Sequence, residues 1–533
     1  MSSPLFVILR VRAKSIVQIP SITAASGEVL CHSHIDSLFA GTSENNNTMG
    51  SEDETMSKLE MYFFPFLGGG HMIPMIDTAR VFASHRVKST VLAVPSEAGV
   101  ISKTINRDQD TLGLDIHLHV LAASSSSFNF GDMTALPSTD TSALRLPFEE
   151  LLSSHPPDCL VLDTFHRWAS DVVTDLSVPY IIFNGSGCFP RCVNHALDLH
   201  APQDKVESDD EPFIVPGLPH RIELTKSQVP QFHRKENKGF PPKRLHKPPT
   251  GNIGFLINSF QELEPDYIEY YKKHIDPRVW LVGPVSLINN STSDKSTRGQ
   301  SSAISESICL DFLATKPPNS VIYISFGSSA RLPFLQFAEI AHALENSRHF
   351  FIWAIGKHSG DPTPKPDSSL LPDGFEDRIS DSGQGLIIRG WAPQLLILEN
   401  EAVGAFVTHC GWNSMMEGLC AGLATATWPL SAEQFNNERL VTEVLNVGVK
   451  VGSKEWRGHD DVERSVIGRE TVSAAVEMVM GDGDEAMERR RRAAEVRVVA
   501  RRALEKGGSS YEGAEELIEH LRRMPKGETK QSS

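Results

Sequence analysis

Apolar and polar positions alternate in blocks along most of the chain, and the blocks predict strands that alternate with helices. The pattern begins at Leu59, where an apolar run leads into three consecutive glycines. The elements predicted in the first half are a strand over 61–66, a helix over 72–84, and strands over 89–94, 159–162 and 180–183. Strands and helices that alternate in this way form a parallel sheet covered by helices on both faces. The first half is therefore predicted to be a doubly wound α/β domain.

A second block of the same kind begins near Ser320, where the run VIYISFG precedes a helix and then the run FFIWAI. A chain of 533 residues is too long for one hydrophobic core, so two domains are expected. The residues between the blocks are rich in Ser, Asn and Thr and predict a flexible connector. The expected division is a disordered polar extension over 1–57, a first domain over 58–286, a linker over 287–306, a second domain over 307–507, and a last helix with a tail over 508–533.

Charge and cysteine content restrict the class of protein. A net charge of −16 argues against nucleic acid and anionic membranes as partners. No apolar run approaches the ~20 residues that a membrane-spanning helix needs. Seven scattered cysteines fit reduced thiols better than a disulfide framework. We therefore expect a cytoplasmic protein without a membrane span, and we expect it to be a monomer.

A helix start in the second half is suited to bind an anion. An apolar strand over 403–407 runs into a Cys-Gly turn, and the turn opens a helix at Trp412. The first residues of a helix carry unpaired N–H groups and a partial positive charge, which favour phosphate oxygens. His409, just before the turn, can donate to the same anion. We expect the phosphate groups of a ligand to lie at His409, Asn413 and Ser414.

The residues on either side of this helix start match the other parts of a nucleotide sugar. Trp391 offers a flat face on which a base can stack, and Gln394 can hydrogen-bond to base or ribose. Glu417 lies one turn into the predicted helix, where a carboxylate can hold ribose hydroxyls. Glu433 and Gln434 supply two acceptors and a donor for the hydroxyls of a sugar. Base, ribose, diphosphate and sugar thus each have a candidate partner.

The 44 residues from Trp391 to Gln434 resemble, without a gap, the signature box of plant family-1 UDP-glycosyltransferases, which transfer sugars to secondary metabolites. The motif HCGWNS is intact, and runs such as FPFLGGGHMIPMIDTAR, DCLVLDTFHRWASDV and LIIRGWAPQ are similar to the family as well. The resemblance covers roughly 59–523 and implies the GT-B architecture: two facing doubly wound, Rossmann-like parallel-sheet domains with a cleft between them. In that architecture the last helix returns to the first domain.

The resemblance implies a set of donor-binding residues. They are Ser328, Trp391, Ala392, Gln394, His409, Gly411, Trp412, Asn413, Ser414, Glu417, Glu433 and Gln434. The pair Trp412 and Gln434 is similar to the pair in glucose users, although UDP-xylose and UDP-glucuronate stay open. Neither a metal nor another cofactor is implied, and UDP-glucose is the expected co-substrate.

Transfer to an alcohol or phenol needs a base, because such a nucleophile is poor while it keeps its proton. His71 follows the three glycines at the end of the first strand, and an imidazole titrates near neutral pH. Asp163 ends the strand CLVLD, from where a carboxylate can fix the tautomer of the imidazole. Both positions resemble the catalytic His and Asp of the family. The alternative for Asp163, as the N-cap of a helix starting near Phe165, stays open at this point.

The expected reaction is an in-line displacement at the anomeric carbon that inverts its configuration. The acceptor is expected to be a small hydrophobic molecule with a hydroxyl group, of flavonoid, coumarin or triterpenoid type, as in the subgroup that the chain resembles. The segment over 239–250 departs from the family because its four prolines forbid the usual helix. An inactive relative that still binds nucleotide sugar therefore remains an alternative. A nicotinamide-dependent oxidoreductase is not expected, because the chain lacks the fingerprint loop of that class.

Overall fold

The computed structural model describes residues 58–122, 139–234, 252–328, 330–356, 370–458 and 465–525. The extension predicted to be disordered and the proline-rich segment over 239–250 lie outside these ranges. The first lobe contains a seven-stranded sheet in which every neighbouring pair is parallel, in the order β3-β2-β1-β4-β5-β8-β9. Its strands are β1 (Glu60–Phe64), β2 (Lys88–Ala93), β3 (Ile116–Val120), β4 (Cys159–Asp163), β5 (Tyr180–Asn184), β8 (Asn252–Ile257) and β9 (Val279–Leu281). A short antiparallel pair, β6 (Pro212–Ile214) and β7 (Glu223–Thr225), lies outside this sheet.

The second lobe contains a six-stranded parallel sheet in the order β12-β11-β10-β13-β14-β15. Its strands are β10 (Val321–Ser325), β11 (Phe350–Ile355), β12 (Gly385–Arg389), β13 (Val403–Thr408), β14 (Ala424–Thr427) and β15 (Gly448–Lys450). The central strands β10 and β13 are buried along their whole length and mostly apolar, because helices cover both faces of the sheet. The GT-B fold class predicted from the sequence is confirmed.

Helices connect successive strands in both lobes. In the first lobe they are α1 (Gly69–Ser84), α2 (Pro95–Leu112), α3 (Arg145–Ser154), α4 (Ala169–Asp175), α5 (Cys188–His200) and α6 (Pro265–His274). The connector contains α7 (Thr292–Thr297), and the second lobe contains α8 (Glu306–Ala314), α9 (Phe334–Asn346), α10 (Phe375–Ser382), α11 (Gln394–Leu398), α12 (Trp412–Ala421), α13 (Gln434–Arg439), α14 (Arg469–Met480) and α15 (Asp484–Leu504). The last helix is α16 (Ser509–Arg523), which lies within the predicted range of 508–533.

The strand order of each sheet reverses at one place, between β1 and β4 in the first lobe and between β10 and β13 in the second. Ligands of doubly wound sheets bind at the carboxyl ends of the strands beside such a reversal. His71 and Asp163 follow or end the first pair of strands, and Ser328 and His409 follow the second pair. Both lobes thus present predicted site residues at the position that their topology favours.

The connector over 287–306 is more regular than the flexible segment that its composition predicts. Ser291 and Asp294 form a capping box at the start of α7, in which each side chain accepts a hydrogen bond from the other residue's main-chain N–H. The correction has a physical reason, because Ser, Asn and Thr suit helix caps as well as flexible chains. The predicted domain boundaries themselves remain predictions.

Hydrophobic packing joins the two lobes. One buried cluster contains Phe189 of α5 together with Trp412, Met415 and Leu419 of α12. Helix α16 presents its apolar stripe, formed by Ala514, Leu517, Ile518 and Leu521, to a cluster that also contains Trp280 and Val282 of the first lobe. The spacing of that stripe places its residues on one face of the helix. The lobes are therefore held together by core contacts as well as by the connector.

Candidate active site

His71 lies in the first turn of α1, just beyond the carboxyl end of β1. Gly68 precedes the helix with a φ of 97°, a conformation that glycine adopts without steric cost, and this turns the chain from strand to helix. The Nδ1 atom of His71 lies 2.9 Å from Oδ2 of Asp163, the last residue of β4. Because β1 and β4 are neighbours, the fold brings together two residues that are 92 positions apart.

Both carboxylate oxygens of Asp163 have partners. Oδ2 faces His71, and Oδ1 accepts a hydrogen bond of 3.0 Å from the main-chain N–H of Phe165. The alternative role as N-cap of the next helix is wrong, because α4 begins only at Ala169. Burial would raise the pKa of Asp163, but the neighbouring His71 imidazole and the Phe165 N–H together outweigh burial and lower it. The group that faces His71 is therefore a carboxylate at neutral pH.

The His71 ring is enclosed on its sides and open at one end. The edges of Phe66 and Phe165 pack on it, with ring centroids 5.7 and 5.0 Å away, and 23% of the His71 side chain is exposed. Burial acts to lower the pKa of His71, but the Asp163 charge and hydrogen bond, assisted by Glu433, raise it overall. With Nδ1 engaged by Asp163, Nε2 is the nitrogen left for a substrate.

The predicted phosphate seat lies at the start of α12. Gly411 is the N-cap residue and has extended backbone angles, and no side chain caps the helix. Apart from the Trp412 N–H, which faces the Glu433 carboxylate, the first N–H groups of the helix are thus suited to bind an anion. Asn413 donates from Nδ2 to the main-chain oxygen of Gly70 at 2.7 Å. Its side chain therefore links the start of α12 to the first lobe, a contact that the sequence did not predict.

His409 lies between two glycines at the carboxyl end of β13. A Cβ atom at Gly327 would lie 2.8 Å from the His409 ring, and one at Gly411 would lie 2.5 Å from its Nε2 atom. Both positions must therefore lack a side chain for the ring to occupy this place. Ser328, which follows Gly327, is partly exposed. The loops that follow β10 and β13, which carry Ser328 and His409, thus lie in contact.

The predicted ribose-binding residues form a hydrogen-bonded group. Gln394 donates from Nε2 to Ser414 Oγ at 3.1 Å and to Glu417 Oε2 at 2.7 Å. The other oxygen of Glu417 accepts a hydrogen bond of 2.6 Å from Arg298 of the connector. Glu417 is buried, and its two carboxylate oxygens have different partners, Gln394 of the second lobe and Arg298 of the connector. Arg298 was not among the residues predicted for the site.

Trp391 lies between the connector and the first lobe. Its main-chain oxygen accepts a hydrogen bond of 2.8 Å from Ala303, and its side chain is partly buried against a cluster that includes Ile73. Ala392 is buried, and its main-chain oxygen accepts from the N–H of Gln394 at 2.8 Å. The hydrogen bond from Gln394 therefore places Ala392 beside the predicted ribose-binding group, and Trp391 precedes it in the chain.

Trp412 does not present its ring to the cleft, contrary to what a sugar-contacting role would require of the side chain. The ring is 2% exposed and packs on Gly187, and its Nε1 donates to the main-chain oxygen of Asn258 at 2.8 Å. The reason is that an indole at this position fills the core between the lobes. The main-chain N–H of Trp412, at the start of α12, instead faces the Glu433 carboxylate, which is predicted to bind the sugar of the donor substrate.

Glu433 and Gln434 lie at the start of α13 and differ in the hydrogen-bonding groups that they leave for a ligand. Gln434 accepts with Oε1 from the main-chain N–H groups of Leu430 and Ser431, both at 2.9 Å, so it has only its NH₂ group to offer. Glu433 accepts from Asn437 at 3.2 Å. Burial raises the pKa of Glu433, while its hydrogen bonds and the His71 charge oppose this. The charges of Glu433 and His71 each affect the pKa of the other group, so the end of the signature box is within electrostatic range of the predicted base.

Comparison with known proteins gives a consistent result. The family described as UDP-glucoronosyl and UDP-glucosyl transferase matches residues 277–466. Abscisate beta-glucosyltransferase of Phaseolus angularis is 47% identical over 468 residues, which cover 87% of this chain and 97% of that protein. The chain belongs to the UDP-glycosyltransferase family. Scopoletin glucosyltransferase of Nicotiana tabacum is 40% identical over 87% of this chain and 98% of that protein.

Solved structures support the same assignment. The crystal structure of the Glycyrrhiza uralensis glycosyltransferase UGT73P12, complexed with glycyrrhetinic acid 3-O-monoglucuronide, matches with a TM-score of 0.79 at 37% identity. The match covers 87% of this chain and 96% of that structure. The plant family-1 membership predicted from the signature box is confirmed, and the chain is an enzyme that transfers a sugar from a UDP-sugar.

The structure of this glycosyltransferase thus groups several of the predicted site residues and places one further residue, Arg298, beside them. The structure brings His71 beside Asp163, and it groups Gln394, Ser414 and Glu417. Arg298 is absent from the predicted site because it lies in a segment whose composition predicts a flexible connector. One signal was present, since Arg298 is the only arginine between residues 287 and 306 and is followed by a glycine. The catalytic and binding roles of these residues remain predictions.

Two further findings concern the helices and the cysteines of the described residues. Among the residues that the structure describes, no helix is both long and apolar enough to cross a membrane. The six cysteines within the described ranges are free thiols, and all six are buried. Burial raises the pKa of Cys188 and Cys410, among others, so their thiols stay protonated and unreactive at neutral pH.

Proposed function

We propose that this chain is an inverting O-glucosyltransferase that uses UDP-glucose and acts on hydroxyl groups of small plant secondary metabolites. The observation that carries the proposal is the His71–Asp163 pair, held at 2.9 Å on the first lobe, with Glu433 of the second lobe near enough to influence the charge of His71. A base on one lobe thus faces the sugar end of the signature box on the other. That arrangement suits transfer from a bound donor to an acceptor between the lobes.

The reaction needs one proton transfer and one displacement. His71 takes the acceptor hydroxyl proton on Nε2, while Asp163 fixes the tautomer and stabilises the imidazolium that forms. The acceptor oxygen attacks the anomeric carbon as the bond from that carbon to the diphosphate oxygen breaks. UDP leaves with the bonding electrons, and the α-linked glucose becomes a β-glucoside.

The leaving diphosphate gains negative charge, and the second lobe supplies groups to meet it. His409, Ser328 and the first N–H groups of α12 provide donors in fixed positions. Trp391 and Ala392 would hold the base, and Gln394, Ser414 and Glu417 the ribose. Glu433 and the NH₂ group of Gln434 would hold the glucose. No metal is invoked, so activity should be unchanged after treatment with a chelator.

A second acceptor class is favoured by one comparison. The relative that shares 47% identity is named for abscisate, an acid whose carboxylate could serve as the nucleophile, whereas those named for scopoletin and for an anthocyanin share 40%. A carboxylate acceptor would yield a glucose ester, which mild alkali hydrolyses, while a β-glucoside survives. Abscisate, scopoletin, flavonols and triterpene alcohols therefore belong in one acceptor panel. We also propose a cytoplasmic location, which the free thiols support, and a monomeric state.

The decisive test is transfer by purified protein from UDP-glucose to this panel, with product mass and stereochemistry determined. His71→Ala should lower kcat/KM by roughly 10³-fold, because proton transfer is lost, and should leave the Kd for UDP nearly unchanged. His85→Ala, at the other end of α1, is the matched control and should retain activity. Tight UDP binding without transfer to any acceptor would instead support the inactive relative.

A further inference from the structure

Arg298 joins the two lobes through its guanidinium group. Nε donates to Asp77 Oδ2 of α1 at 2.8 Å, and Nη1 donates to Glu417 Oε1 of α12 at 2.6 Å. The side chains of Arg298, Asp77 and Glu417 are only 12%, 3% and 4% exposed. Burial disfavours the guanidinium charge, but the two carboxylates outweigh burial and raise the pKa of Arg298. Removal of this cation would leave two buried carboxylates without their positively charged partner, which would destabilise the folded protein.

The connector also holds Asp77 from its other end. Asp77 Oδ1 accepts a hydrogen bond of 3.0 Å from Asn289 Nδ2, and it lies 3.4 Å from Arg80 Nη1. Arg80 in turn donates to Asn289 Oδ1 at 2.6 Å and to Asp108 at 2.5 Å. Asp77 is therefore a fixed anchor for Arg298 and not a mobile surface carboxylate.

Gly299, the residue after Arg298, shows that the connector is tightly packed at this place. Gly299 has a φ of 84°, and a Cβ atom there would lie 2.4 Å from the Trp391 ring and 2.9 Å from Ile73 Cδ1. Only glycine meets both the backbone and the space requirement. The connector thus passes between the predicted base-binding Trp391 and α1, and this passage brings Arg298 to Glu417.

Two bridges consequently link α1 to α12. The inner bridge joins Gly70 to Asn413 directly, and the outer one joins Asp77 to Glu417 through Arg298. Gly70 and Asp77 are seven residues apart, which is about two turns and 10 Å on one face of α1. Asn413 and Glu417 are four residues apart on one face of α12. Helix α1 carries His71 at its start, so the bridges relate the predicted base to the predicted donor site.

We propose that Arg298 is a positioning residue: it orients Glu417 toward the ribose hydroxyls of the donor and ties that orientation to the helix that presents His71. This inference rests on the proposed function, because it needs a UDP-sugar donor and Glu417 as its ribose ligand. Gln394 holds one oxygen of Glu417 and Arg298 the other. The carboxylate therefore has one orientation only while both partners are present. A lysine has a single nitrogen and cannot reproduce the two-armed bridge.

The test compares the Kd for UDP with that for 2′-deoxy-UDP by calorimetry. Wild-type protein should prefer UDP by roughly tenfold or more, because a charged acceptor binds the hydroxyl. Glu417→Gln and Arg298→Lys should each reduce that preference to threefold or less. A decrease of that size is expected when one hydrogen bond to a charged group is lost. The double variant should lose no more than Glu417→Gln alone, because both substitutions act on one interaction. Arg298→Lys should also raise the KM for UDP-glucose and leave the acceptor KM unchanged.

Two control variants release the connector without touching Glu417. Arg107→Met removes the contacts of α2 with Asp294 and Thr297, and Lys295→Met removes the contact with Glu399 of the second lobe. Both should retain the wild-type preference for UDP. The role of Arg298 is overturned if Arg298→Lys discriminates as well as wild type, if it binds UDP more tightly, or if the controls lose discrimination equally. Absence of UDP binding by the wild-type protein would instead overturn the proposed function, and this inference with it.

Discussion

The side-chain amide of Asn413 donates a hydrogen bond of 2.7 Å to the main-chain oxygen of Gly70, the residue before His71. Asn413 is the second residue of α12, whose start is the predicted phosphate seat. One contact between the lobes therefore joins the helix that would hold the leaving group to the helix that presents the base. In a displacement reaction the distance between these two parts decides whether the acceptor oxygen can reach the anomeric carbon.

Asp163→Asn should change the pH dependence of transfer. A base acts in its neutral form, so kcat/KM rises with pH through the pKa of His71. The Asp163 carboxylate raises that pKa against the effect of burial, so its neutralisation should move the rise to lower pH. The plateau should also fall, by roughly 10²-fold or more, because the imidazolium loses its stabilising partner. Initial rates measured across pH with a neutral alcohol acceptor would check both effects, and an unchanged midpoint would contradict the pairing.

Gly411→Ala should weaken donor binding without unfolding the protein. The backbone of Gly411 is extended and accepts alanine, but the added Cβ would lie 2.5 Å from His409 Nε2 and displace the ring. We expect the Kd for UDP to rise roughly tenfold, the loss expected for one charged or well-placed hydrogen bond. Gly99→Ala, where a Cβ meets nothing within 4 Å, is the control and should bind as wild type does. Calorimetric titration with UDP measures both.

Gly187→Ala should destabilise the contact between the lobes. A Cβ there would lie 2.1 Å from the Trp412 ring and 2.8 Å from Glu264 Oε1, both deeply buried. Overpacking of this kind costs about 1–3 kcal/mol, which lowers Tm by several degrees. At Gly185 the added Cβ would meet the His71 ring at an ordinary 3.7 Å, so Gly185→Ala should leave Tm almost unchanged. Equal Tm values for the two variants in thermal melts would show that Trp412 is not packed as described.

Glu97→Gln should reduce the loss of stability that accompanies a rise in pH from the acidic range to neutrality. Glu97 is buried below the glycine turn, where its Oε1 accepts from Gly68 N at 3.3 Å, and burial raises its pKa to about 7. In the unfolded chain the same carboxyl ionises near its ordinary value. The folded state therefore loses stability as pH rises from that value through about 7, by at most on the order of 3 kcal/mol.

Thermal melts at about pH 5 and about pH 8 would check this linkage. The Tm of Glu97→Gln should fall less between the two values than that of wild type, because glutamine does not ionise. The exposed Glu150 offers the matched substitution, Glu150→Gln, which should behave as wild type. Parallel Tm curves for Glu97→Gln and wild type would mean that Glu97 does not titrate in this range.

Several features of the site could be predicted because their signals are local in the sequence. The residues from Trp391 to Gln434 are contiguous, so a strand, a turn and a helix start follow from neighbouring residues. Glu417 lies one turn from Asn413 by helix periodicity alone. The start of α1 was placed three residues late, at Met72, because glycines usually mark turns, whereas Gly69 and Gly70 are helical here.

The sequence by itself determined the alternation of strands and helices, the parallel sheets that follow from it, and the nature of the donor site. Tertiary structure alone decided that His71 meets Asp163 across 92 residues, that the Trp412 ring faces the core, and that Arg298 reaches Glu417. The physical reason is that the interactions involved act over different distances along the chain. Periodicity and capping act over a few residues, whereas the direction of a side chain between two lobes depends on which distant surface packs against it.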